Sequence, residues 1–177
     1  KVEEAFTQTN GNSQTWEYDG EDGSLEAHTI NWNNGDVTER EYNDNESLIS
    51  EDVIYASGDK VEKTFDDDGT KIQQITTQTN GNVQTSEYRG DDGSLETHTV
   101  DWANGDITEK NYDESESLIE DTFTQTNGNF NSSSFYENGT LATQYSYNAN
   151  NNDTFVKLYT QEGELLSEYQ GENIAFD

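Results

Sequence analysis

Along the whole chain, short segments rich in Thr, Val, Ile and aromatic residues alternate with polar ones. In L-E-T-H-T-V-D-W, Leu95, Thr97, Thr99 and Asp101 fall on one side of an extended backbone, and Glu96, His98, Val100 and Trp102 on the other. Segments of this kind, such as T-H-T-V-D-W and D-I-T-E-K-N-Y, read as strands. No window sustains an apolar i, i+3, i+4, i+7 stripe, so essentially no helix is expected. Neither side of these strands is fully apolar. That makes a two-layer sandwich hard to stabilise by burial and favours an elongated twisted or spiralling sheet, with Tyr and Trp as the main packing groups.

Two kinds of turn signal punctuate the strands. The first is Asn10-Gly11, Asn34-Gly35, Asn80-Gly81, Asn104-Gly105 and Asn127-Gly128, with Ser57-Gly58 and the run Asn148 to Asn152 in the same role. The second lies between an aromatic and a Leu or Ile: Y-D-G-E-D-G-S-L at 18–25, F-D-D-D-G-T-K-I at 65–72 and Y-R-G-D-D-G-S-L at 88–95. Shorter forms are Y-E-N-G-T-L at 136–141 and Y-T-Q-E-G-E-L at 159–165. Asn and Gly tolerate the positive φ that tight hairpins need.

The punctuation is periodic. T-Q-T-N-G-N occurs at 7–12, 77–82 and 124–129, and segments 7–49 and 77–119 are roughly two-thirds identical without a gap. Within this duplication lies a unit of about 23 residues. Seven such units begin near 5, 28, 53, 75, 98, 122 and 145, the last running to about 170. Two strands per unit predict about fourteen strands in an all-β antiparallel meander, one β-repeat array over 1–177.

Composition changes this picture in two ways. Hydrophobic residues make up 28% of the chain, against about 45–50% in average domains, and together with a formal charge of -30 this is the signature of disorder. Ten Tyr, seven Phe and three Trp at recurring places, with no Pro, point instead to order. Eight Lys plus Arg against 38 Asp plus Glu argue against nucleic-acid binding and attraction to anionic membrane, since both require cations facing phosphate. Cations are the natural counterpart, which makes Ca²⁺ the one cofactor to consider, though none is required. There is no Cys and therefore no disulfide framework or thiol chemistry; there is also no Met, from which a processed chain or a fragment is expected. No apolar run approaches the length of a membrane-spanning helix.

The pattern Y-D-x-x-G-x-L, followed by a strand, an Asn-Gly or Asp-Gly turn and another strand ending in Tyr, resembles the tyrosine-aspartate (YD) repeats of Rhs and teneurin-type proteins. It is also similar to MORN-like β-meander repeats. The resemblance spans about Ala5 to Tyr169, but only Tyr18-Asp19 and Tyr112-Asp113 keep the dipeptide, Tyr42 being followed by Asn43 and Tyr88 by Arg89. YD arrays enclose a cavity in a spiralling sheet, for which this chain has too few repeats by itself. The resemblance implies an extracellular or cell-surface β-repeat scaffold rather than an enzyme.

Three groups of side chains are candidates for chemistry. Asp19, Glu21 and Asp22, then Asp66, Asp67 and Asp68, then Asp91 and Asp92, gather carboxylates at hairpin tips where Ca²⁺ could be held; the competing reading is that Asp favours turns. Trp16, Trp32 and Trp102, with Tyr18, Tyr42, Tyr88 and Tyr112, could form an aromatic row for stacking on sugars, or serve as cross-strand pairs. His28 and His98 occupy equivalent rungs and read as strand histidines. The sequons at Asn45, Asn131, Asn138 and Asn152 are expected by chance in so Asn-rich a chain. No nucleophile elbow, H-E-x-x-H, phosphate loop or plausible Ser-His-Asp set is present, so no catalytic residue is assigned. The expected role is a non-catalytic, extracellular structural or adhesive protein that self-associates through strand edges into a fibre or surface layer, or abuts neighbouring repeats of a larger chain. The alternative is a calcium-assisted carbohydrate-binding module of a larger secreted protein.

Overall fold

A computed structural model describes residues 1–172 of the chain. Among them there are fifteen strands and no helix. The strands are β1 (Val2–Thr7), β2 (Ser13–Tyr18), β3 (Leu25–Asn31), β4 (Val37–Tyr42), β5 (Leu48–Ile54), β6 (Lys60–Phe65), β7 (Lys71–Thr77), β8 (Val83–Tyr88), β9 (Leu95–Asp101), β10 (Ile107–Tyr112), β11 (Leu118–Thr124), β12 (Phe130–Phe135), β13 (Leu141–Asn148), β14 (Asp153–Tyr159) and β15 (Leu165–Glu172). One more strand forms than seven two-stranded units provide, because β15 follows the seventh Asn-rich hairpin; the first strand also starts before Ala5.

The chain divides into two compact units, Lys1–Gly93 and Ser94–Asp177. The first contains β1 to β8 and the second β9 to β15, and in each the strands lie in sequence order as an antiparallel meander. Among the described residues of each unit a strand touches only its ladder neighbours, so no second layer of strands or helices covers either face. Among the described residues only Ile30, Thr38, Val100 and Thr154 are buried, at 7%, 6%, 9% and 1% exposure. Burial of apolar area therefore contributes little, and backbone ladders with cross-strand side-chain pairs carry the fold.

Alternation places the polar residues on both faces as expected. In the first unit one face carries the row Trp16, His28, Arg40, Glu51 and Lys63 on successive strands β2 to β6. Arg40 Nε and Lys63 Nζ both donate to Glu51, at 2.7 and 2.6 Å. On the opposite face Glu39, Asp52 and Glu62 are directly paired, an arrangement of like charges that is destabilising by itself. Lys60 bridges two of them, 2.9 Å from Asp52 and 2.7 Å from Glu62. Lys60 thus sits where two carboxylates would otherwise face each other, and Arg40 and Lys63 flank the Glu51 carboxylate from both sides.

At six of the acidic turns the aromatic residue that closes the preceding strand follows a register shift. Shifts precede Tyr18, Tyr42, Phe65, Tyr112, Phe135 and Tyr159. The irregularity sets the aromatic residue opposite the first residue of the following strand, which is Leu25, Leu48, Leu118, Leu141 or Leu165. Two details refine the sequence reading. Phe65 pairs with Lys71 rather than Ile72. Phe135, not Tyr136, is the ring opposite Leu141, while Tyr136 opens the turn and its hydroxyl donates to the Tyr159 carbonyl at 2.8 Å.

Candidate functional site

The feature that recurs through both units is a ladder of contacts between successive Asn-Gly turns. Each regular turn has five positions, exemplified by Gln8-Thr9-Asn10-Gly11-Asn12. The Gly11 amide donates to the Gln8 carbonyl at 3.0 Å and the Gln8 amide to the Asn12 carbonyl at 2.8 Å. Gly11 has φ +91° whereas Asn10 is not in the positive-φ region. The turn is therefore a type I turn followed by a glycine bulge, in which the glycine alone takes the left-handed conformation. The third residue fixes the fifth, the Asn12 amide donating to Asn10 Oδ1 at 3.1 Å.

The fifth side chain reaches the next hairpin. Asn12 Oδ1 accepts from the Asn33 amide at 2.9 Å, Asp36 Oδ1 from Ala56 at 2.8 Å and Asp59 Oδ1 from Thr79 at 2.8 Å. In the second unit Asp106 Oδ1 accepts from Thr126 at 2.9 Å and Asn129 Oδ1 from Ala149 at 3.0 Å. Every bond ends on the second position of the following turn.

Two side-chain sets serve this purpose. Where the fifth residue is Asn, the first is Gln and accepts from the Asn amide nitrogen: Asn12 to Gln8 at 3.5 Å, Asn82 to Gln78 at 3.3 Å, Asn129 to Gln125 at 2.9 Å. Where the fifth residue is Asp, which has no N–H to place, the first is Trp32, Tyr55 or Trp102. The second carboxylate oxygen then accepts from the third residue, as in Asn34 to Asp36 at 2.8 Å, Ser57 to Asp59 at 3.1 Å and Asn104 to Asp106 at 2.9 Å. T-Q-T-N-G-N is repeated because its Gln and second Asn act as a pair. Sequence reading assigned the turn to Asn and Gly and missed the fifth position; the signal that could have revealed it is the pairing of Gln with Asn, and of an aromatic with Asp, within the chain.

The glycines on this side do more than permit φ. A Cβ at Gly58 would lie 2.9 Å from Thr79 Cγ2, one at Gly105 2.7 Å from Thr126 Cγ2, one at Gly35 3.2 Å from Ala56 Cβ and one at Gly128 3.1 Å from Ala149 Cβ. Successive turns pack on the bare glycine face. At the acidic turns a Cβ on Gly23, Gly69 or Gly139 would meet nothing within 4 Å. There Glu46 and Glu116 replace glycine at φ 59°, and their carboxylates reach the Leu25 and Leu95 amides at 3.3 and 2.9 Å.

The carboxylates considered for Ca²⁺ are at these acidic turns. Asp19 Oδ1 accepts from the Glu21 amide at 2.6 Å, and Asp22 Oδ1 from the Ser24 amide and hydroxyl at 2.9 and 2.7 Å. The Ser24 amide bond holds the Asp22 carboxyl below the usual range. Asp66 Oδ1 accepts from the amides of Asp68 and Thr70 at 3.0 and 2.8 Å. Glu21, Asp67, Asp68, Asp91 and Asp92 are exposed. Among the described residues no three Asp, Glu, His or Cys side chains converge where a metal ion could be held.

The aromatic candidates are dispersed within each unit. Trp16 lies in β2 and stacks on His28, with ring centroids 5.1 Å apart and planes 7° from parallel. Trp32 opens the turn before β4, donating from Nε1 to Thr38 Oγ1 at 3.1 Å, while Tyr42 ends β4 at the opposite edge. Strand geometry sets about 17 Å or more between those edges, so these rings make no continuous stacking row. Trp102 repeats the contact with Thr108 Oγ1 at 3.0 Å, and Tyr112 likewise ends β10. Tyr18 ends β2 and Tyr88 ends β8, the latter beneath Lys71 Nζ at 4.0 Å from the ring centroid. His28 Nε2 is 3.1 Å from Gln14 Oε1. Burial, then the Arg40 charge, lowers the His28 pKa; burial, then Lys110, lowers that of His98 in the second unit.

No family model matches the chain, and no curated protein does. Among solved structures it is similar to the crystal structure of TcdB2-TccC3-Cdc42, at 10% identity and a TM-score of 0.31, over 93% of this chain and 11% of that one. The chain thus spans about one-ninth of the length of that relative. What the fold itself establishes is a β-repeat protein built as an antiparallel meander.

Proposed function

We propose that this protein is a non-catalytic structural scaffold of YD-like rungs, working outside the cell or at its surface and extending through strand edges into a fibre or layer. The observation that supports this reading is the turn-to-turn ladder. Each rung presents the next with the same acceptor and the same glycine face, so addition of a rung is a local and self-similar step. The outer strand β1 supports it further: all six of its residues are exposed, with Val2 and Phe6 at 55% and 57%. Its backbone groups, directed away from β2, suit pairing with a rung of another copy or of a longer chain. A charge of -30 opposes disordered aggregation, and salt or Ca²⁺ would screen it during ordered growth.

Electron microscopy of the purified protein, at low and high salt and with and without Ca²⁺, tests the proposal. Filaments or ordered sheets are expected under at least one screened condition. Strictly monomeric particles throughout would overturn the fibre and layer reading.

A further inference from the structure

The second unit contains a groove of about 290 Å³ on one sheet face beside the Asn-rich turns. Its floor is a single cross-strand row: Asn131 of β12 opposite Ser146 of β13, Ser146 opposite Phe155 of β14, and Phe155 opposite Gln170 of β15. Gln125 and Asn129 border it from the adjoining turn.

The groove has an identifiable cause. At this register the odd-numbered strands carry Phe6, Ile30, Val53, Thr76, Val100 and Phe123, all bulky or β-branched. Ser146 is the first exception. Its short side chain leaves the space between Asn131 and the Phe155 ring unfilled, and Gln170 extends the polar floor.

Toward the described residues, the side chains left around this gap retain their hydrogen-bonding capacity. Among the described residues, none donates to or accepts from the Asn131 amide, the Ser146 hydroxyl or the Gln170 amide. In β2, by contrast, the equivalent Gln14 is engaged by His28. No Lys or Arg lines the groove, and its one carboxylate, Asp153, accepts from Asn151 at 2.6 Å. Lys157 Nζ lies over one face of the Phe155 ring, 5.0 Å from its centroid, and the rest of the ring supplies an apolar surface to the groove.

We propose that this groove binds a neutral, hydroxyl-rich saccharide. Amides and a hydroxyl can each donate to and accept from sugar hydroxyls, and an aromatic ring receives the C–H face of a pyranose. A protein of charge -30 repels anionic sugars, which leaves neutral ones as the favoured class. The site is distinct from the dispersed Trp residues and independent of edge-to-edge assembly.

The test is NMR titration and calorimetry of the whole chain with neutral hexasaccharides, namely cellohexaose, maltohexaose and mannohexaose, and with an oligogalacturonate as the anionic comparison. At least one neutral ligand is expected to bind and to shift Asn131, Ser146, Phe155 and Gln170, with no binding of the oligogalacturonate. Ser146→Val restores the branched residue that Val53 and Val100 supply elsewhere, so it should fold, and it should weaken binding at least tenfold. Circular dichroism checks that the variant remains folded; if it does not, Ser146→Thr takes its place with the same expectation. Absence of binding to all three neutral ligands, shifts located elsewhere, or undiminished binding by the folded variant would each overturn the proposal. Filament formation is scored separately and bears only on the scaffold reading.

Discussion

Gly58 and Gly69 offer a controlled comparison of the two turn edges. Both are in the first unit, at φ +91° and +83°, so replacing either by Ala imposes a similar left-handed strain, about 1–2 kcal/mol for an L-residue. Their surroundings differ. An added Cβ at Gly69 meets nothing within 4 Å, whereas at Gly58 it falls 2.9 Å from Thr79 Cγ2, closer than carbon atoms approach without displacement. Overpacking of that kind adds about 1–3 kcal/mol. Gly69→Ala should therefore cost about 1–2 kcal/mol and Gly58→Ala about 2–5 kcal/mol. In urea, with a slope of about 2 kcal/mol per molar, the excess moves the midpoint by a further ~0.5–1.5 M. Circular dichroism at increasing urea reads the midpoints of both variants. Adding Thr79→Ala to Gly58→Ala removes the clashing methyl and should recover part of the excess. Equal midpoints for the two single variants, or no recovery in the double variant, would refute the argument that the Asn-Gly side is a packed surface between turns.

Two further outcomes are expected. Asp36→Ala should speed amide exchange at Ala56 by about fivefold, the equivalent of ~1 kcal/mol of net hydrogen bond, while Asp36→Asn, which keeps Oδ1 but sets an N–H against the Asn34 Nδ2 donor, should preserve only part of the protection; this is read by hydrogen-exchange NMR. Burial alone would raise the Glu51 pKa, but hydrogen bonds and charge from Lys63 and Arg40 outweigh it, so the carboxyl titrates below its ordinary value of 4.5. With the folded value lowered, its contribution to stability is fully present above about pH 4.5 and is lost as pH falls through the folded value. Stability of Glu51→Gln measured by urea unfolding from pH 7 to pH 3 should show a shallower acid loss than the parent protein.

The alternation in segments such as T-H-T-V-D-W and the Asn-Gly dipeptides made the strands and their antiparallel order legible. These are local signals, acting between residues two to five apart. The count was short by β15, which is joined to β14 by a five-residue turn of ordinary type and makes a third strand within the last unit. Which ring closes β12 is likewise not legible in the segment around Y-E-N-G-T-L. Two rings are adjacent in sequence, and only the register shift at Ser134/Phe135 decides which one closes the strand. The aspartates at 19–22 and 66–68 were visible as a cluster, yet each oxygen's direction is set by backbone amides two or four residues away.

By itself, the sequence determined an all-β repeat protein with little apolar core, because period-two alternation and turn residues act within one hairpin. Only the tertiary structure decided how hairpins recognise one another. The Asx bonds join residues 20 or 21 apart in the chain, and whether glycine is needed for φ or for space depends on atoms brought by the next turn. The gap at Ser146 is of the same kind. A short side chain makes a groove only where its cross-strand neighbours, here Asn131 and Phe155, do not extend over it, and that is a property of packing between strands rather than of any one segment.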